Sequence, residues 1–131
     1  MHISTENVYY ASLGSYDENP DFTRYQLLRF YSDGVVLSDF PLLDQDFPFV
    51  RNKILGWFHR DNWGGDTPKG NYAATNSEIS FWFDDTRLPG KPRREFSGVL
   101  REDGSLVVSE RMLHKTPKPE FIFLADKGVP A

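Results

Sequence analysis

Apolar and polar residues alternate in three stretches of this chain, and each stretch is broken by a pair of turn-forming residues. Residues 25–31, Asp33-Gly34 and residues 35–40 read as strand, tight turn, strand. Residues 71–74, Asn76-Ser77 and residues 79–83 repeat the pattern, as do residues 99–100, Asp103-Gly104 and residues 106–108. Asp-Gly suits such turns because Gly and Asp best tolerate positive φ. The pattern predicts a mainly β protein, an antiparallel meander closed into a barrel.

Side chains alternate along a strand, so each turn length predicts which residues share a face. A two-residue turn in the first hairpin sets Phe30 opposite Leu37 and Arg29 opposite Ser38, with either face free to point inward. In the second hairpin Ala74 faces Ile79, Tyr72 faces Phe81 and Gly70 faces Phe83, all on one apolar side. A three-residue loop in the third pairs Leu100 with Leu106, Gly98 with Val108 and Phe96 with Glu110. It also sets Glu95 beside Arg111, and it sorts apolar from polar better than a two-residue loop. Residues 8–13 read as a short strand, residues 14–21 and 84–92 as loops, residues 116–119 as a turn, and residues 121–124 as a closing strand. Loose ends are expected over about 1–7 and 126–131.

Periodicity changes once. Phe47, Val50, Ile54, Trp57 and Phe58 recur at helical spacing, after Asp46 as N-cap and with Pro48 in the first turn. This predicts one helix at about 47–59. It needs an apolar surface to cover, and the end of the barrel is the expected one.

Composition fits this picture. A chain of 131 residues makes one domain, 1–131, and its 15% aromatic content supplies a bulky interior. The net charge of −4 argues against a nucleic-acid partner. The charge is uneven, with 6 Lys/Arg against 13 Asp/Glu up to residue 85 and 9 against 6 after it, as when opposite charges meet in one fold. With no cysteine, disulfides, thiolate metal sites and a Cys nucleophile are excluded. The first six residues lack the basic and apolar regions of a secretion signal, and no apolar run approaches a membrane span. A soluble, cytoplasmic protein with no membrane partner is expected.

No catalytic motif emerges. His59-Arg60-Asp61-Asn62 lacks every other part of a kinase and reads as a polar helix end. His2, His59 and His114 are too scattered for a metal site. Asp84-Asp85 reads as a solvated loop start. There is no Gly-x-Ser-x-Gly, and Gly64-Gly65 has no phosphate-loop Lys after it. No metal or cofactor is expected, and an enzyme is the less favoured reading.

Four stretches carry a resemblance: Leu28-Arg29-Phe30-Tyr31-Ser32-Asp33-Gly34, Gly70-Asn71-Tyr72, Phe96-Ser97-Gly98-Val99-Leu100 and Phe121-Ile122-Phe123. Together, over residues 24–125, the chain resembles the lipocalin-like, or calycin, small β-barrels. It is most similar to the barrel domain that follows the F-box in some F-box proteins. No F-box is present, so a ubiquitin-ligase adaptor role is not implied, and the Gly-x-Trp element of classical lipocalins is missing. The resemblance implies a barrel that can hold a small apolar molecule.

The expected function is therefore non-catalytic binding of a small, largely apolar ligand inside the barrel. The alternative is a structural or protein-interaction barrel with a filled core. The expected ligand-binding residues are Tyr72, Phe81, Phe83, Phe96, Val108 and Met112, with Arg29 and Glu110 as polar anchors. An inward Arg29 would select a carboxylate; an inward Glu110 would select a neutral or cationic donor. Each also has a structural reading: Arg29 outward over Tyr31 or Tyr25, and Glu110 at a rim or out of register.

Overall fold

A computed structural model describes residues 3, 5, 7–62, 69–83, 94–111 and 121–125. The strands are β1 (Val8–Tyr16), β2 (Asn19–Phe30), β3 (Val35–Asp39), β4 (Leu42–Leu43), β5 (Lys69–Thr75), β6 (Glu78–Phe83), β7 (Arg94–Leu100), β8 (Leu106–Arg111) and β9 (Phe121–Ala125). One helix, α1 (Phe47–Trp57), and a 3-10 turn at Arg60–Asn62 separate β4 from β5. The strands run in the order β1-β9-β8-β7-β6-β5-β3-β2, and β2 pairs back with β1. The result is a closed, eight-stranded antiparallel barrel, with β4 a short addition against β2. The mainly β, closed-barrel class is as expected from the sequence.

Both Asp-Gly hairpins use the same three-residue loop. In the first, Tyr31 N–H donates to Val35 O at 2.8 Å and Gly34 N–H to Tyr31 O at 3.1 Å. In the third, Arg101 N–H donates to Ser105 O at 2.8 Å and Gly104 N–H to Arg101 O at 2.9 Å. Only the glycines take positive φ, +89° at Gly34 and +88° at Gly104, while Asp33 and Asp103 do not. This is the type I turn closed by a left-handed glycine. It confirms the third register: Leu100 opposite Leu106, Gly98 opposite Val108, Phe96 opposite Glu110. It also corrects the first. Arg29 stands opposite Leu37 and Phe30 opposite Val36, because the extra loop residue shifts the pairing by one. The second hairpin pairs Tyr72 with Phe81 and Ala74 with Ile79 as expected, with Asn76 at φ +55° in its turn.

Residues 14–21 are not a loop. β1 and β2 form a long hairpin around Asp17-Glu18, from Val8 opposite Arg29 to Tyr16 opposite Asn19. Register shifts between Ser12 and Tyr16 break the alternation there, and most of this tip is exposed, so no apolar face marks it. The expected loop at 84–92 and turn at 116–119 lie outside the described residues.

Two apolar clusters share the first three strands. Tyr9, Ala11, Leu28, Phe30, Val36, Ile79, Phe81, Phe83, Phe96, Leu100, Leu106, Val108 and Phe123 form the barrel interior. Val8, Tyr25, Leu27, Tyr31 and Leu37 form a second cluster with Phe47, Ile54 and Phe58 of the helical segment. Val8 alternates with Tyr9, Leu27 with Leu28, and Leu37 with Val36. The second cluster therefore lies on the outer wall of the barrel. α1 packs against that wall, whereas the sequence reading seats it across an end. Strands β1–β3 are apolar on both faces, as in sheets covered on both sides. Burying each of Phe47, Ile54 and Phe58 contributes roughly 1.5–3 kcal/mol.

The helix begins at Asp46 with a proline in its first turn, as predicted, and is followed by Phe58 as C-cap. Trp57, expected on the apolar face, is 37% exposed.

Candidate functional site

Five of the expected site residues meet inside the barrel. Phe81 and Phe96 stack at 4.9 Å between centroids, and Phe83 stands edge-on to both at 6.1 and 5.9 Å. Val108 belongs to the same cluster, and Tyr72 packs against it. Phe83 lies over Gly70, where a Cβ would come within 2.7 Å of its ring. Phe30 links the two sides of the interior: its ring is edge-on to Phe81 at 5.7 Å, to Tyr72 at 5.1 Å and to Tyr9 at 5.8 Å. Sequence reasoning left Phe30 unassigned because either face of its hairpin could turn inward. The Tyr72 hydroxyl donates to Tyr31 O at 2.6 Å, and burial pushes its pKa above the usual tyrosine value, with the nearby Asp33 charge adding to the rise.

Glu110 projects from the interior face of β8 next to Val108, as its register requires. Its carboxylate accepts two hydrogen bonds from Arg94, from Nε at 3.0 Å and from Nη2 at 3.1 Å. Arg94 in turn lies over Phe96, with its guanidinium carbon 5.3 Å from the ring centroid. The forked pair is of the strong, geometrically specific kind. Glu110 is thus held by a cation that sequence reasoning missed. The signal was available, since Arg94 and Glu110 are diagonal neighbours once Phe96 faces Glu110.

Arg29 is not with this group. It lies on the outer face, buried beneath the helical segment, where its Nη1 donates to Phe58 O at 2.6 Å. Its guanidinium also lies 5.7 Å from the Tyr31 ring centroid. It ties the C-terminal end of α1 to the wall, a favourable place for a cation. Met112 lies outside the described residues, as do His2, His114, Gly64-Gly65 and Asp84-Asp85.

The remaining candidate, the segment after α1, makes local contacts. His59 Nδ1 accepts from Asp61 N–H at 3.1 Å, and its ring is edge-on to Tyr31. Arg60 bonds to Asp33, whose carboxyl is held below its usual pKa mainly by that hydrogen bond. No group of three metal-ligating side chains occurs among the described residues.

Two features were not legible in the sequence. Ser38 Oγ is buried and has no hydrogen-bond partner among the described residues. It follows Val36 by two positions on β3 and stands opposite Leu28, so it faces the interior. The second feature is an external groove of about 460 Å³ between the start of α1 and the β1–β9 seam. It is lined by Tyr10, Ser12, Tyr25, Asp46, Phe49 and Leu124, among others.

No family model, no curated protein and no solved structure matches this chain. The likeness to lipocalin-like proteins thus extends to the closed antiparallel barrel. Among the described residues, no helix is long and apolar enough to cross a membrane.

Proposed function

We propose that this chain is a non-catalytic interaction barrel whose interior is a side-chain core and whose binding is done on its outer surface. One observation carries this reading: aromatic rings touch one another from wall to wall. Tyr9, Phe30, Phe81 and Phe123 are each at most 1% exposed, and so are Leu28 and Leu106. Side chains that border a ligand-sized void would expose surface to it. Small eight-stranded barrels can be filled in this way or can hold one small ligand.

A second reading keeps the small, largely apolar ligand inside a lipocalin-like barrel. It is favoured by Ser38 Oγ, since a buried hydroxyl without a partner costs about 1–3 kcal/mol and is a ready contact for a ligand polar group. The cytoplasm is the compartment proposed with either reading, as the cysteine-free chain has no disulfide to lose there.

The test is binding of an environment-sensitive apolar dye and of a fatty acid, with native mass spectrometry of the purified protein. The filled barrel should bind neither at tens of micromolar, and Phe81→Ala should create a dye site. Stoichiometric interior binding by the native chain, lost on Ser38→Val, would establish the second reading instead.

A further inference from the structure

The external groove has the build of a ligand site of its own. Among the described residues, β1 and β9 pair at two positions, Tyr9 with Ala125 and Tyr10 with Leu124. Beyond that ladder Ala11, Ser12 and Ile122 border a concavity, and Pro48 and Phe49 of α1 form its opposite bank. Phe49 is 75% exposed, and Leu124 is 48% exposed. The volume of about 460 Å³ lies within the range of small-molecule sites, which are mostly apolar with a few convergent polar groups.

Its charge is one-sided. Among the described residues lining it, Asp46 is the one Asp, Glu, Lys or Arg. Asp46 stands at the N-cap yet makes no side-chain cap bond. Its Oδ1 instead accepts from the Tyr25 hydroxyl at 3.2 Å, which orients the carboxylate beside the groove. Burial raises the Tyr25 pKa, with the Asp46 charge adding to the rise, so the phenol stays neutral and donating. A second concavity, of about 410 Å³, shares Asp46 and Phe49 and adds Asp44. Both hollows therefore present carboxylate beside aromatic surface, with no cation among their described lining residues.

We propose that the β1–β9 groove binds a small organic cation, an ammonium group on an aromatic or alkyl stem. The stem lies against Tyr10, Phe49 and Leu124, and the ammonium meets the Asp46 carboxylate. Burial of the stem supplies most of the affinity, because an exposed ion pair adds little. The carboxylate selects the sign of the charge, beside the half-buried ring of Tyr10. This site is separate from the barrel interior and does not depend on whether the interior is filled.

The experiment is an amide NMR titration of the full chain with 2-phenylethylammonium, 2-phenylethanol and 3-phenylpropionate. The ammonium should bind tightest and shift Tyr10, Asp46, Phe49 and Leu124, while the propionate should not saturate. Asp46→Asn, which preserves N-cap propensity, should weaken the ammonium at least fivefold and leave the alcohol unchanged. Phe49→Ala should weaken both. Equal binding of the anion, or no effect of Asp46→Asn, would overturn the proposal. So would tighter binding of acetyl-Phe-Lys-amide than of the free amine, which would reassign the groove to a protein partner's lysine. Shifts confined to Phe81 and Phe96 would overturn this proposal and the filled interior together. Absence of any binding, with the barrel still refusing dye, would overturn this proposal alone.

Discussion

The two halves of this barrel wall are built on different rules. β5–β8 bury one face: along β6, Ile79, Phe81 and Phe83 are buried while Glu78 and Ser80 are exposed. Along β7, Phe96, Gly98 and Leu100 are buried while Ser97 and Val99 are exposed. β2 and β3 bury both faces, and the run from Leu27 to Tyr31 is buried without interruption. The difference comes from α1, which covers the outside of β1–β3. A one-sided strand announces its inward face through alternation. A two-sided strand announces only that it is buried.

Removing one buried side chain from each region separates the two kinds of wall. Phe81→Ala should destabilise the protein by about 3–5 kcal/mol, and Ile54→Ala by about 2–4 kcal/mol, in chemical denaturation. Hydrogen exchange should separate them. Ile54→Ala should speed exchange in α1 and leave β6 and β7 protected, whereas Phe81→Ala should loosen the whole ladder. A loss of only a few tenths for Ile54→Ala would mean that the outer wall does not need its cover.

A smaller effect sharpens the part the halves share, the three-residue Asp-Gly loop. Gly34→Ala and Gly104→Ala should each cost about 1–2 kcal/mol, because both glycines are left-handed. Similar losses would confirm one loop type in both regions. A negligible loss at Gly34 alone would show that the first loop does not need a left-handed glycine.

The smallest expected effect concerns Asp33, in the loop of the two-sided half. Its pKa is lowered, chiefly by the hydrogen bond from Arg60. The folded state thus binds fewer protons than the unfolded state in the acid range. The associated stability is present above the ordinary carboxylate value and is lost as pH falls through the lowered one. Both partners are open to solvent, so the effect is small. Asp33→Asn should flatten the acid limb of a melting-temperature profile slightly, and an unchanged limb would assign no role to the pair.

Sequence patterning reached the faces of β5–β8, the Phe96–Glu110 register and the start of α1, all local matters. It reached five interior residues of the candidate site because Tyr72, Phe81, Phe83, Phe96 and Val108 sit on one-sided strands. It missed Arg94 as the partner of Glu110, although the register predicts them as diagonal neighbours. It missed the β1–β2 hairpin at residues 14–21, where the register shifts leave no apolar face to detect. Arg29 could not be assigned, since a charge within a two-sided run has no solvent face to contradict it.

The place of the three Asp-Gly and Asn-Ser turns, the strand periodicity of β5–β8, the helix and the antiparallel class are legible in the chain itself. Each depends on residues within a few positions of one another, through backbone propensity and the alternation of side chains. Long-range packing sets α1 on the outer wall, turns Arg29 to Phe58 rather than the interior, and closes the ring of β1 on β9. Those outcomes depend on which apolar surfaces meet across long stretches of chain. Alternation records that two faces differ, and only packing decides which of them is inside.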